Sequence, residues 1–209
     1  MSLTYAHPRG AVLADVLLAK RSLTTDLALI GAGTAVVAVL AQVSVPLWPV
    51  PVTGQTLGVI MVGAALGAKR GAAALSLYLI AGLAGLPIFA NLTGGPLSIL
   101  KPSFGFIIGF IGAAFVVGWI AERQWDRKFW KALAGFALAS AIPFIIGVPY
   151  LALVLGGMGL DNSVPAVIAA GVTPFIIGGI AKAAIAAAVT PLAWRGVKAL
   201  DVRSSDPAP

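Results

Sequence analysis

Lys182 is the residue whose surroundings invite chemistry. Of fourteen Lys and Arg and seven Asp and Glu, it alone sits deep inside a long apolar stretch. A lysine at the centre of a membrane helix costs about 2.5 to 3.5 kcal/mol, so one retained there needs a partner or a cavity. On a helix, Phe175, Gly178, Gly179, Lys182 and Ala186 share one face, and the two glycines leave a hollow beside the ammonium. An acidic or carbonyl-bearing ligand would fill that hollow. The competing reading is structural: backbone carbonyls of a broken neighbouring helix satisfy the lysine, because Pro143, Gly147 and Pro149 interrupt the fifth apolar segment.

Two amides stand near the ends of other apolar segments. Gln55 follows the bend-forming run from Pro46 to Gly54, and Asn91 opens the run Asn-Leu-Thr-Gly-Gly-Pro. An amide side chain donates and accepts at once, which suits a ligand carrying a urea or amide group. Ordinary loop polarity is the alternative for both, and more so for Gln55.

The composition removes several kinds of chemistry. There is no cysteine, so disulfides, thiolate nucleophiles and cysteine metal sites are absent. His7 is the only histidine and lies in a polar N-terminal segment, which gives no basis for a metal site. The acidic residues fall near segment ends, in gaps or in tails, so no carboxylate pair is available within the apolar spans for acid/base work or proton carriage. No catalytic residue, metal or cofactor is expected, and the chain does not read as an enzyme. It also lacks the GxxxxGK[ST] loop that an ATPase needs to cradle phosphates, so ATP-driven work would require another subunit.

The elements that must position Lys182 follow from hydropathy. Apolar residues make up 59% of the 209, charged residues 10%, and the mean hydropathy is +1.00, where a soluble domain carries about 25% charged residues. A bilayer core roughly 30 Å thick needs about 20 helical residues. Charge and Pro/Gly signals predict an all-α polytopic membrane protein with six transmembrane helices, around Leu27–Val45, Gly54–Gly67, Gly71–Ala90, Phe104–Ala121, Ala132–Gly156 and Pro165–Trp194. The second is short and the last too long. Thr173-Pro174 should break the last, leaving Val164 to Val172 as a separate half-helix or tucked-in loop.

Positive charge predicts the orientation. Arg9, Lys20, Arg21, Lys69, Arg70, Arg123, Arg127, Lys128, Lys131, Arg195, Lys198 and Arg203 fall in gaps on one side and Lys101 alone on the other, which puts both termini in the cytoplasm. The net charge of +7 is therefore an orientation signal spread over short loops rather than a nucleic-acid-binding face. Trp125, Trp130 and Trp194 beside those charges, and Trp48 at an outer end, read as interfacial anchors. The organisation expected is a cytoplasmic segment over 1–22, a six-helix membrane domain over 23–198 and a cytoplasmic tail over 199–209, disordered from Asp201. The N-terminus shows no cleavable signal pattern and should stay in the mature protein. In the first span Ala28, Gly31, Ala32, Ala35 and Ala38 recur at spacings of three and four, a smooth stripe for close approach of a partner helix or of the protein's own.

Four motifs in order, Pro49 to Leu57 (PVPVTGQTL), Gly82 to Phe89 (GLAGLPIF), Lys101 to Phe110 (KPSFGFIIGF) and Pro174 to Lys182 (PFIIGGIAK), resemble the signatures of the BioY family, the biotin-binding S components of energy-coupling-factor (ECF) transporters. The resemblance runs from the first helix to the sixth. It implies capture of biotin from outside a bacterial cytoplasmic (inner) membrane, with a transmembrane coupling (T) subunit and two ABC-type ATPases as partners. Some members work without dedicated ATPases, so the alternative is a stand-alone biotin carrier acting as a homo-oligomer. It further implies that Ala28 and Ala32 meet the coupling subunit and that the ring system of biotin lies near Asn91 and Lys182. The expected substrate-binding set is Lys182, Asn91, Gly179, Gln55, Phe175, Tyr150, Phe89 and Phe104, with the loop from Pro46 to Gln55 closing above. Two departures stand out. Family members commonly carry an acid where this chain has Gly179, and frequently a tyrosine where it has Phe106.

Overall fold

The computed structural model describes residues 10–18 and 22–205, with side chains as far as Val197. His7, Arg9, Lys20 and Arg21 lie outside the described residues, as do the side chains of Lys198 and Arg203. The described residues are mostly helical: α1 Leu13–Leu17, α2 Leu23–Gln42, α3 Gln55–Leu66, α4 Ala68–Leu83, α5 Phe104–Glu122, α6 Phe129–Ala139, α7 Ile142–Gly157, α8 Val164–Gly171 and α9 Thr173–Ser205. Two short strands, β1 Ser44–Val45 and β2 Val52–Thr53, pair antiparallel between α2 and α3, with Ser44 opposite Thr53. Among the described residues, four helical stretches are long and apolar enough to cross a membrane: Leu23–Gln42, Phe104–Glu122, Phe129–Gly157 and Val164–Val197. This is a multi-pass membrane protein.

Local chemistry sets where the helices begin and end. Ser22 caps α2, its hydroxyl accepting from the Thr25 N–H at 3.1 Å, so this helix begins before Leu27. The predicted helix over Gly71–Ala90 stops at Leu83. Gly85 turns the chain at φ +110°, the Leu86 N–H closes back on Ala81 O at 3.1 Å, and Pro87 prevents continuation. The expected break before Pro174 is present: α8 ends at Gly171, Val172 leaves helical geometry, and α9 starts at Thr173. The fifth segment breaks at Ser140 and Ala141, ahead of Pro143, while Pro149 is carried inside α7. At the other end, α9 continues to Ser205, so residues 201 to 205 are helical rather than a disordered tail. Residues 206–209 lie outside the described part.

α5 is the axis of the packing and touches α3, α4, α6 and α7. Missing side chains make that closeness possible. A Cβ on Gly118 would sit 2.2 Å from the Ala68 backbone nitrogen, one on Gly63 would sit 2.7 Å from Ala114 O, and one on Gly109 would sit 2.5 Å from the Pro143 Cα. With lipid tails as apolar as the side chains, such backbone-to-backbone contact is a main source of helix association. The short α3, about 18 Å long at 1.5 Å per residue, lies inside this cluster with most of its residues buried. It cannot span the bilayer alone, and the space beyond its N-terminus is left to loops.

The helix ends opposite those loops carry the basic residues and are tied together by polar contacts. Glu122 accepts from the Ala68 N–H at 2.9 Å. Arg70 bridges Asp15 at 2.8 Å and Asp26 at 3.0 Å, linking α1, α2 and α4. Trp194 is 2% exposed and donates its indole N–H to the buried Asp126 at 2.6 Å, with the Arg127 guanidinium 4.0 Å above its ring. It is thus a packed element of this end and not an interfacial anchor, whereas Trp130 and Trp125 are exposed. Burial pushes the Asp126 carboxyl above the usual carboxylate range, against the opposing pull of the Trp194 N–H and the Arg127 charge.

Replacing Gly118 by Ala forces the α4–α5 contact apart and should cost about 1 to 3 kcal/mol, read as a lower unfolding midpoint in detergent. Gly178→Ala, where an added Cβ meets nothing within 4 Å, should leave that midpoint unchanged or raise it.

Candidate ligand-binding site

Above the N-termini of α3 and α5 lies a chamber of about 350 Å³, within the usual range for small-molecule sites. Loops and helix ends wall it. The 46–51 loop and the end of β2 form one side; the 89–93 turn, the 98–103 segment and the start of α5 form another. Phe144 of α7 and Phe175, Gly179 and Lys182 of α9 close it. Phe106 stacks on Phe175 at 6.2 Å between centroids, and Phe144 stands edge-on to Phe106 at 5.6 Å, giving an aromatic wall.

Lys182 lines this chamber, and its ammonium is not free of the protein. It donates to the Thr53 backbone carbonyl at 2.5 Å and to Thr56 Oγ1 at 3.0 Å. The structural alternative is therefore met in part, but by β2 and the first turn of α3 rather than by the broken fifth segment. An ammonium has three N–H donors, so two are committed and one remains. The lining holds Lys182 and Lys101 and no Asp or Glu. A chamber with two cations and no acid favours an anion and rejects a cation.

Gln55 is buried at the first residue of α3 and works inside a chain of hydrogen bonds. Its Oε1 accepts from Thr53 Oγ1 at 2.8 Å, its Nε2 donates to the Tyr78 hydroxyl at 2.7 Å, and that hydroxyl donates to Ile88 O at 2.9 Å. It is neither loop polarity nor a free amide. Asn91 sits in the left-handed region at φ 60°, is exposed, and accepts from Ser44 Oγ at 2.7 Å; no bond from its Nδ2 to the protein is found among the described residues. Gln42, at the end of α2, holds the same turn: its amide N–H reaches Phe89 O at 3.2 Å while its Oε1 accepts from the Leu92 N–H at 2.9 Å.

Phe175, Phe104 and Gly179 line the chamber, and a Cβ at Gly179 would meet nothing within 4 Å, so no neighbour fills the place of the missing acid. Phe89 touches the chamber but is largely committed to the core, its ring covering Gly82 and standing edge-on to Tyr78 at 5.3 Å. Tyr150 is not part of the lining. Its hydroxyl donates to Ile99 O and its ring flanks Phe104 at 6.0 Å, so it supports the wall from behind. The lining adds Trp48, Thr56, Ser98, Lys101, Phe106 and Phe144 to the predicted set. Phe106 and Lys101 lie inside a quoted motif; Thr56 follows Gln55 in another. Ala28, Ala32 and Ala35 are exposed on the outer side of α2, while Gly33, Val37 and Ala41 face the core.

A bundle of apolar helices packed through glycines, enclosing a cationic and aromatic chamber under a loop cap, defines a membrane-embedded small-molecule binding protein. Its fold matches the crystal structure of the S component for biotin from an ECF-type ABC transporter, with a TM-score of 0.71 and 22% identity over 84% of this chain and 95% of that one. The BioY family model matches residues 12–199, and the chain belongs to the BioY family. The biotin transporter BioY of Rhizobium etli is 35% identical over 78% of this chain and 90% of its own length. That of Thermotoga maritima is 35% identical over 76% and 89%. These relatives are named transporters rather than enzymes.

Tyr78→Phe leaves the Gln55 amide without its acceptor and weakens the hold on Ile88 O. It should destabilise the protein by about 1 to 3 kcal/mol, measured as a lower midpoint in thermal unfolding in detergent.

Proposed function

We propose that this chain captures biotin from outside the cytoplasmic membrane of a bacterium and delivers it inward as the S component of an ECF transporter, with a transmembrane coupling subunit and two ABC-type ATPases supplying energy. The observation that carries the reading is the chamber charge: two lysines and no acid around an aromatic pocket in a chain whose relatives are named biotin transporters. Biotin is a monoanion with a neutral urea at one end and an apolar chain between. Lys182, with its remaining N–H, suits the ureido oxygen, and the Asn91 amide in the same lining suits the ureido edge. Phe106, Phe144 and Phe175 bury the ring system, and Lys101 neutralises the carboxylate. Gly179 and Gln55 shape the deep end, and the 46–51 loop, with Trp48 71% exposed at its tip, covers the ligand.

The same reading counts six crossings, α2, α3, α4, α5, α6 with α7, and α9 preceded by the tucked-in α8, with both termini cytoplasmic. The basic ends of α4, α5 and α9 support that orientation. Ala28 and Ala32 on the outer side of α2 supply the smooth face on which the coupling subunit would pack.

Purified protein should bind labelled biotin, and Lys182→Ala should weaken it at least about tenfold through loss of a charged hydrogen bond; an unchanged dissociation constant in titration calorimetry would exclude this site. Proteoliposomes containing this chain alone should bind biotin without accumulating it. Accumulation by the chain alone would favour the stand-alone oligomeric carrier, although the acids in the described residues lie at helix ends and in loops rather than within spans, which argues against proton coupling.

A further inference from the structure

We propose that Ser98 is a ligand-binding residue of the chamber, its hydroxyl donating to the carboxylate that Lys101 neutralises. Ser98 is 2% exposed, lines the chamber, and its Oγ has no hydrogen-bond partner among the described residues. Its backbone is fully engaged: its N–H donates to Gly95 O at 3.0 Å and its carbonyl accepts from the Lys101 N–H at 3.1 Å. Only the side chain is left over. The other hydroxyls of the lining that are held by the protein show the contrast. Thr53 Oγ1 donates to Gln55 at 2.8 Å, Thr56 Oγ1 accepts from Lys182 at 3.0 Å, Thr93 Oγ1 donates to Ala90 O at 2.9 Å and Ser140 Oγ to Phe136 O at 2.8 Å.

A buried hydroxyl with no partner is expensive to keep, so its place in a ligand chamber points to a partner that arrives with the ligand. Which end of the ligand follows from the local backbone. Ser98 and Lys101 are three residues apart across the end of the 3-10 segment Pro96–Leu100, a spacing that sets both on one side of the turn. Lys182, by contrast, enters from α9 and is held against Thr53 and Thr56. A hydroxyl beside an ammonium is a donor to the anion that the ammonium attracts, and hydrogen bonds to charged groups are the stronger kind.

This inference rests on the proposed capture of biotin, and titration calorimetry on the purified full-length chain separates the two. Ser98→Ala should weaken biotin by about tenfold and weaken biotin amide, which carries no charge at that end, by no more than about twofold. The unfolding midpoint without ligand should stay the same or rise, because the substitution removes an unpaired buried oxygen. Wild-type affinity in Ser98→Ala, or equal losses for biotin and its amide, overturns the assignment while leaving the capture of biotin standing. A wild-type protein that binds neither compound removes both. Ser98→Cys, which keeps the size with a weaker donor, reads the same contrast should the alanine variant not fold.

Discussion

The bonds from Lys182 to the Thr53 carbonyl and the Thr56 hydroxyl are the constraint on which the architecture of the chamber depends. An ammonium within a membrane helix must be satisfied by the protein, by water or by a ligand. A neighbouring full-length helix would have its carbonyls committed to its own ladder. Here the partner is a segment that has left helical geometry: β2 ends at Thr53 and α3 begins at Gln55, so the Thr53 carbonyl points outside any helix. The shortness of α3 and the charge of Lys182 are two sides of one arrangement. Extending α3 upward would take that carbonyl into its ladder and fill the chamber.

From Thr53 the same polar thread continues through Gln55 and Tyr78 to Ile88, and Gln42 holds Phe89 and Leu92 from α2. The hairpin and the 88–93 turn, on two sides of the chamber, are therefore connected through buried hydrogen bonds rather than through apolar contact alone. Buried polar chains of this kind are costly if any member is lost and rigid when all are satisfied. That rigidity suits a site that must hold two loops in fixed relation across a cavity. The glycine contacts of α5 serve the opposite end of the problem, letting the helices below the chamber approach until backbone meets backbone.

Much of this was legible in the sequence, for physical reasons that also mark where it was not. Hydropathy located the helical segments because lipid demands apolar surface and internal backbone pairing over fixed lengths. Thr173-Pro174 announced the break before α9, since proline removes a donor and restrains its predecessor. Hydropathy ran past the end of α4 because Leu86, Pro87, Ile88 and Phe89 are as apolar as a span, yet they belong to the turn. Trp194 resembled an anchor by its neighbours in sequence. Its burial comes from Asp126 and Arg127, some 68 residues away in the chain, and no local pattern encodes that pairing. Lys182, Gly179 and Phe175 came out of helical spacing alone, though the same spacing offered Gly178 and Ala186, which do not line the chamber, whereas Phe144 and Ser98 reach it only through tertiary packing and carry no periodic signal.

The empty space at Gly179 gives a reason for the way Lys182 is held. A carboxylate one turn away would pair with the ammonium and leave a neutral couple at the deep end. Without it, the lining has two positive charges and no negative one, and the protein stabilises Lys182 with neutral oxygens from Thr53 and Thr56. Neutral oxygens satisfy two of the three donors without cancelling the charge, so the chamber keeps a positive potential in a low-dielectric setting where charge acts over distance. Under the proposed function, a chain built this way gives up an acceptor for ureido N–H groups and gains attraction for a carboxylate. On the proposed capture of biotin, selection for the anionic tail carries more of the recognition here than it would in a chain with an acid at that position.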